Sequence, residues 1–429
     1  MTKPPFRQTT TTLPSRLRAM LAASALVAVA SCAARHPPFA QTTVPPKTMR
    51  AAIVGSLDAT REDASRLFAP PEPRMLRPCC AFGGVMRVKL LGIPVPWYRY
   101  KPLRGAADIG PHEYDPGLLQ ILPSPVDDEL QARSHGPEHP KREHNGIVYT
   151  CRGGFLDTAH IRDFADLTWF LAARVDERLE TGGTIELEDY GGRRRVSIRP
   201  VRPETIREIG RTRLAIAVAA RLSFDLSVWR EIATWYGYES VPPWSEKLSS
   251  FSPEDLYSNL LGTKLAEGIL HTRAIHSRRE WDLAMTAWLA SAMDALGVVP
   301  IETARDLMES LDGTFWSSAR RMPDWDITLL RKFDRGPVVE PWVVHAKESS
   351  AAPCTADDGP VPIPVQDELA GVTIGGVAEI DVVVSNRLMK HGFPLPRGGD
   401  RHIVEADYDD LIEVVRRASE VAVQSRRGR

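Results

Sequence analysis

His160 and Asp163 hold the spacing at which an imidazole and a carboxylate become neighbours on a helix, three residues apart. They stand in the segment YTCRGGFLDTAHIRDFAD, residues 149–166. At 100° per residue, Leu156, Phe164, Leu167, Leu171 and Val175 share one apolar face, and His160 and Asp163 fall on it in the first turns. Two titratable groups on a core-facing stripe are costly unless paired, so each needs a partner. A carboxylate that orients an imidazole raises its basicity, the arrangement of general-base pairs and of metal-bound histidines. Gly153 and Gly154 just before the helix would let a ligand approach its N-terminal amides. Two readings stand. In one, His160 and Asp163 form a satisfied buried pair that tethers this helix to a neighbour. In the other they are catalytic, or bind a divalent metal such as zinc.

A second constellation lies in SPEDLYSNLLGTKLAEGIL. Asp255, Asn259 and Gly262 share a face, Ala266 and Ile269 continue it, and Ser258 sits at its edge. Gly262 permits close approach of another helix. Asp255 and Asn259 could answer His160, Asp163 or Arg162 there, either as an interhelical hydrogen-bond network or as the substrate-positioning side of one polar pocket. Glu267 projects from another side and reads as solvent-facing. The histidines 135, 139 and 144 in HGPEHPKREH have a spacing open to zinc or copper, but the loop reads as solvated. His271 and His276 end a helix, where a cation suits the dipole. Cys151, nine residues before His160, could make a thiol–imidazole dyad; a disulfide is the simpler reading. The zincin pattern H-E-x-x-H, the G-x-S-x-G elbow and the phosphate-binding glycine loops are missing from the sequence.

These groups must be placed by a fold, and the pattern reads as helix-dominated α+β. Periodicity predicts helices over 157–181 (Asp157 as N-cap, Gly182-Gly183 as stop), 203–222, 226–237, 253–275, 278–296, 301–311 and 406–421. The fourth carries Ser252 as cap, Pro253 at N1 and acids in its first turn. Glu62–Phe68 reads as a short helix, and Val85–Leu91 and Ile93–Tyr98 as strands. Thr184–Ile198 folds back at Asp189-Tyr190-Gly191-Gly192 as a hairpin, and Val372–Ser385 reads as a strand pair. Arg193-Arg194-Arg195 belongs to the solvated hairpin.

The N-terminal 31 residues read as a leader. Lys3, Arg7, Arg16 and Arg18 precede the apolar run LAASALVAVASC, residues 21–32, and no acid does. The run is too short to span a bilayer comfortably. Its end, Val29-Ala30-Ser31-Cys32, resembles the lipobox of bacterial lipoproteins. That resemblance implies cleavage before Cys32, lipidation of its thiol, and, with Ala33 rather than Asp following, the outer membrane facing the periplasm. Several acyl chains on one cysteine give stable anchoring, and no later run of eighteen apolar residues offers a second membrane segment. Removing residues 1–31 takes away four basic residues and no acids, so the formal charge moves from -1 to -5, against a nucleic-acid partner. Residues 32–49 are a flexible tether, 50–350 a main α+β domain and 365–429 a smaller C-terminal strand-helix extension.

Beyond Cys32 remain Cys79, Cys80, Cys151 and Cys354, an even set suited to an oxidising compartment. The adjacent Cys79 and Cys80 are poor partners for each other, and one of them with Cys151 is the favoured bridge. A thiolate pair on metal is the alternative.

CCAFG at 79–83, IGPHEY at 109–114, NGIVYTCRGGFLDTAHIRD at 145–163 and DLYSNLLG at 255–262 together resemble an uncharacterised family of bacterial envelope proteins, known only as a domain of unknown function. The likeness covers about residues 70–350 and implies one continuous domain and an envelope location. The family supplies no activity, cofactor or catalytic residue. Two functions follow for the chain. It is a structural or binding lipoprotein holding a ligand, an envelope protein or a cell-wall partner at the membrane. Alternatively it is a hydrolase-like enzyme on an envelope substrate, with His160 as base or metal ligand, Asp163 as orienter or co-ligand, and Asp255 and Asn259 positioning substrate.

Overall fold

Three long helices that bury nearly all of their surface form the centre of the molecule: α2 (Thr158–Arg178), α4 (Arg211–Trp235) and α5 (Asp255–Thr272). The computed structural model describes residues 43–57, 66–74, 77, 89–90, 93–94, 103–114, 143–239, 246–317, 328–355 and 357–427. α2 packs along both α4 and α5, and those two touch each other. A helix apolar or buried all round belongs in the middle of a domain. That overrides the expectation of one buried face on α2, whose residues 158–173 are all buried. Around this centre lie α1 (Pro46–Ile53), α3 (Pro203–Ile209), α6 (Arg278–Leu296) and α7 (Ile301–Ser310). Trp169, Trp229, Trp281 and Trp288 are fully enclosed in the core.

The remaining strands and helices build short sheets against this centre. The hairpin β3 (Ile147–Thr150) and β4 (Gly154–Asp157) leads directly into α2. Asp157 caps α2 as its sequence predicts: its carboxylate accepts from Ala159 N at 2.7 Å and His160 N at 3.4 Å. Gly154 has φ +67°, and a Cβ there would overlap the Trp342 carbonyl. A four-stranded antiparallel sheet runs in the order β12-β11-β6-β5, with β5 (Gly183–Leu187), β6 (Gly192–Ile198), β11 (Ala378–Val384) and β12 (His402–Val404). Long β11 pairs with β6 from Ala378↔Ile198 to Val384↔Gly192. The C-terminal segment therefore packs on the core. It adds α8 (Ile374–Val377), α9 (Asn386–Lys390) and α10 (Tyr408–Arg427). Two-residue strands make three further ladders: β1 (Lys89–Leu90) with β2 (Ile93–Pro94), β7 (Val338–Val339) with β8 (Ile363–Pro364), and β9 (Glu368–Leu369) with β10 (Val372–Thr373). The whole is helix-dominated α+β. No described helix is long and apolar enough to cross a membrane.

Several expectations change. Helix 203–222 is broken at Gly210 (φ +93°), and α4 then runs unbroken through 223–225. Ser223 and Ser227, which lie in and beside that expected gap, bond carbonyls at Phe164 and Phe224 instead of ending the helix. Within 372–385, the two-residue β10 pairs with β9, a short helix follows, and the long β11 takes its partners β6 and β12 from elsewhere in the chain. Arg194 is buried, donates to the Glu188 carbonyl and lies over Tyr190, so the arginine run is not wholly solvated. Glu267 is buried and pairs with Lys264 at 2.7 Å, so it does not face solvent. Of the Glu62–Phe68 helix, residues 66–68 are described and are not helical. His135, His139 and most of Val85–Leu91 and Ile93–Tyr98 lie outside the described residues.

The disulfide joins Cys151 to Cys354, not to Cys79 or Cys80. Cys151 sits in the β3–β4 turn, and the neighbours of that turn come from later in the chain. Its N–H donates to the Gly297 carbonyl at 2.9 Å, and the Arg152 carbonyl accepts from Val361 N at 2.9 Å. Cys79 and Cys80, like Cys32, lie outside the described residues.

Candidate functional site

α2 and α5 cross at Gly262, where a Cβ would overlap the Ile161 carbonyl. The close crossing puts chemistry into contact. Asp157 N donates to Ser258 Oγ at 2.9 Å. One turn along, His160 Nδ1 lies 3.2 Å from Asp255 Oδ1. α4 brings Glu231 to the same place: one ligating atom each from His160, Glu231 and Asp255 lie within 4.8 Å of one another. All three are buried, as is Asn259, one turn beyond Asp255 on α5. The loop before α5 closes the site. Phe251, held at φ +55°, donates its N–H to Glu231 Oε2 at 3.0 Å. A bulky residue in that region stores strain of about 1–3 kcal/mol. Ser252 N donates to Asp255 Oδ2 at 2.7 Å, and Ser252 Oγ to Glu254 Oε1 at 2.8 Å. So α5 begins at Asp255, and Ser252, expected as its cap, serves Glu254 instead.

The site crowds three buried carboxyl groups together, Glu231, Glu254 and Asp255. Burial, then the Asp255 charge, pushes Glu231 up to about 8. Burial and the same neighbour hold Glu254 well above the usual carboxyl range. Arg331 is the cation beside all three acids; burial lowers it to about 10 against their attraction. Its guanidinium donates to the carbonyls of Ser250 and Leu248 and lies over Trp235. Neither side-chain atom of Asn259 makes a hydrogen bond among the described residues, and neither does Asp255 Oδ1. An unsatisfied buried amide costs about 1–3 kcal/mol and calls for an explanation.

Asp163 takes no part. Three residues from His160 on α2, it joins a separate network. Arg77 donates to Asp163 at 2.7 Å, Asp166 at 2.8 Å and Glu143 at 3.0 Å. Arg162 meets Glu143 at 2.7 Å, and Arg230 meets Asp163 at 3.2 Å. His112 and Trp281 both bond Asp166. Burial opposes the charges on Glu143 and Asp166, yet the neighbouring guanidiniums hold both below their ordinary values. Three guanidiniums face three carboxylates here, a balanced structural network. The structure thus brings His160, Asp255 and Asn259 to one helix crossing and places Asp163 elsewhere. Glu231, Glu254 and Arg331 were not singled out by the sequence; α4 shows no polar motif around Glu231, and only its approach to α5 reveals it.

Fold and site together define a helix-dominated α+β protein with a buried acidic centre at the meeting of three helices. Residues 68–345 match the family model described as "Protein of unknown function (DUF4056)", and the chain belongs to that family. The match contains the whole candidate site, whereas β11 and β12 lie beyond it. No curated protein and no solved structure matches the chain.

Proposed function

We propose that this chain is a lipid-anchored bacterial envelope protein, held through Cys32 in the outer membrane and facing the periplasm, whose folded body is a binding or scaffold unit. The supporting observation is closure of the polar centre. His160 is 1 % exposed, and Asp255 and Asn259 are 0 %. A general base must come within hydrogen-bond reach of the proton it takes, and an imidazole sealed under three helices has no substrate to reach. Two surface clefts of about 440 and 360 Å3 are lined by other residues, though Arg331 lines the larger one. The partner class is an envelope protein or a cell-wall component.

Two measurements test this reading. Metabolic labelling with a radioactive fatty acid, followed by membrane fractionation, should label wild type and lose both label and membrane retention in Cys32→Ala. Diethyl pyrocarbonate modification, mapped by mass spectrometry, should leave His160 unmodified while exposed His402 reacts. Rapid modification of His160 in the folded protein would mean an open site and favour the hydrolase reading. A Cys32→Ala protein still on the membrane would end the lipoprotein reading.

A further inference from the structure

The buried centre is unexplained if the protein contains only itself. Asp255 Oδ1 and His160 Nδ1 approach to 3.2 Å, yet that oxygen accepts no hydrogen bond among the described residues. Donors on one tetrahedral zinc-class ion, each about 2.1 Å from it, stand about 3.4 Å apart. Glu231 completes a trio whose mutual distances stay within 4.8 Å, and the three come from α2, α4 and α5. The balanced network around Arg77 shows what this protein does with buried carboxylates when protein cations answer them. Around Glu231, Glu254 and Asp255 the answer is thinner: Arg331 faces all three with its donors also engaged by two carbonyls, and Arg230, which acts on Glu231, is already paired with Asp163. Asn259 supplies the second, independent sign: a fully buried amide on the same face of α5, one turn from Asp255, with no hydrogen-bond partner for either atom among the described residues.

We propose that His160, Glu231 and Asp255 bind one divalent transition-metal ion of the zinc class, with Asn259 completing the shell directly or through a water. One imidazole and two carboxylates suit zinc, manganese or iron, whereas a site for magnesium or calcium would be all oxygen. The ion lets the crowded carboxyls of Glu231 and Asp255 ionise together and ties the three central helices to one another. Its enclosure makes it a structural centre, because a catalytic ion keeps a position open to substrate. The site goes beyond the binding role proposed above and stands or falls separately from it.

The test is metal content of the full-length chain, purified without a histidine tag, and cobalt titration of the chelator-treated protein. About one equivalent of metal per chain is expected, with cobalt giving the visible bands of a low-symmetry protein site. Glu231→Gln and Asp255→Asn keep side-chain shape and should each lower metal affinity by 100-fold or more. Asn259→Ala should lower it about 10- to 100-fold, the range for groups that support ligands. His402→Ala, on the exposed edge strand, should leave it unchanged. Circular dichroism confirms that each variant is folded, and zinc should raise the melting temperature of wild type but not of Glu231→Gln. Metal absent from wild type with cobalt spectra of the free ion, or metal retained by both carboxylate variants, would overturn the proposal.

Discussion

His160 and Asp163 lie three residues apart on one helix and serve different masters. Asp163 is satisfied by Arg77 and Arg230, while His160 meets the acids of α4 and α5. Spacing along a helix establishes that two side chains are near each other, but which neighbour each prefers depends on what the other helices bring. The acidic cluster also has a signature in solution. Burial and Asp255 raise Glu231 from 4.5 to about 8, with His160 and Arg230 opposing. In metal-free protein the folded state therefore keeps a proton that the unfolded chain gives up near pH 4.5. Folding stability should fall as pH climbs from about 4.5 to about 8, by up to about 1.4 kcal/mol per pH unit for one proton. Urea unfolding of chelator-treated protein at several pH values reads this. Asp282 and Glu405, both raised to about 7, slope the same way. The difference between wild type and Glu231→Gln isolates the one residue, and an unchanged slope would refute its assignment.

At the scale of elements, the crossing of α2 and α5 organises the site, and Gly262 permits it. Gly262→Ala should separate the helices or strain them, at a cost of about 1–3 kcal/mol in chemical denaturation, with weakened metal binding. Much of this layer was legible beforehand. Asp157 announces the start of α2, because caps are local chemistry; the helix ends at Arg178, short of the expected 181, and Gly182 N–H bonds the Arg178 carbonyl in the turn beyond. The Asp189–Gly192 turn announces the β5–β6 hairpin for the same reason. Gly262 on a shared face with Asp255 and Asn259 was readable as a close-packing position. What stayed illegible was non-local. Glu231 sits on a helix buried all round, where periodicity carries no information about direction. Gly210 ends a helix through a positive φ, and a lone glycine inside a periodic run does not declare that. Strand β11 looked like half of a local pair, but its long partner β6 lies nearly two hundred residues away in the chain.

At the scale of the whole molecule, two devices draw distant chain together: the β12-β11-β6-β5 sheet and the Cys151–Cys354 bridge. Cross-linking residues 203 apart removes much freedom from the unfolded chain. Cys151→Ala with Cys354→Ala should lose about 3–5 kcal/mol in guanidinium unfolding, and reductant should destabilise wild type alike. Equal stability with and without the bridge would show that the sheet and helices suffice. The pairing was unreadable because cysteine count gives parity and not proximity. The neighbours of the β3–β4 turn are set by where α6 ends and residues 342–361 return.

That bridge makes most of the folded body a closed covalent ring. α2, α4, α5, α6 and α7 all lie between its two cysteines, and so do all three proposed metal ligands. A protease that cuts once anywhere in this span produces no separate fragments: the nicked molecule gains one water and keeps both ends of the chain covalently joined. Such a protein survives its first wound in one piece, and its fragments part only when one sulfur–sulfur bond is reduced.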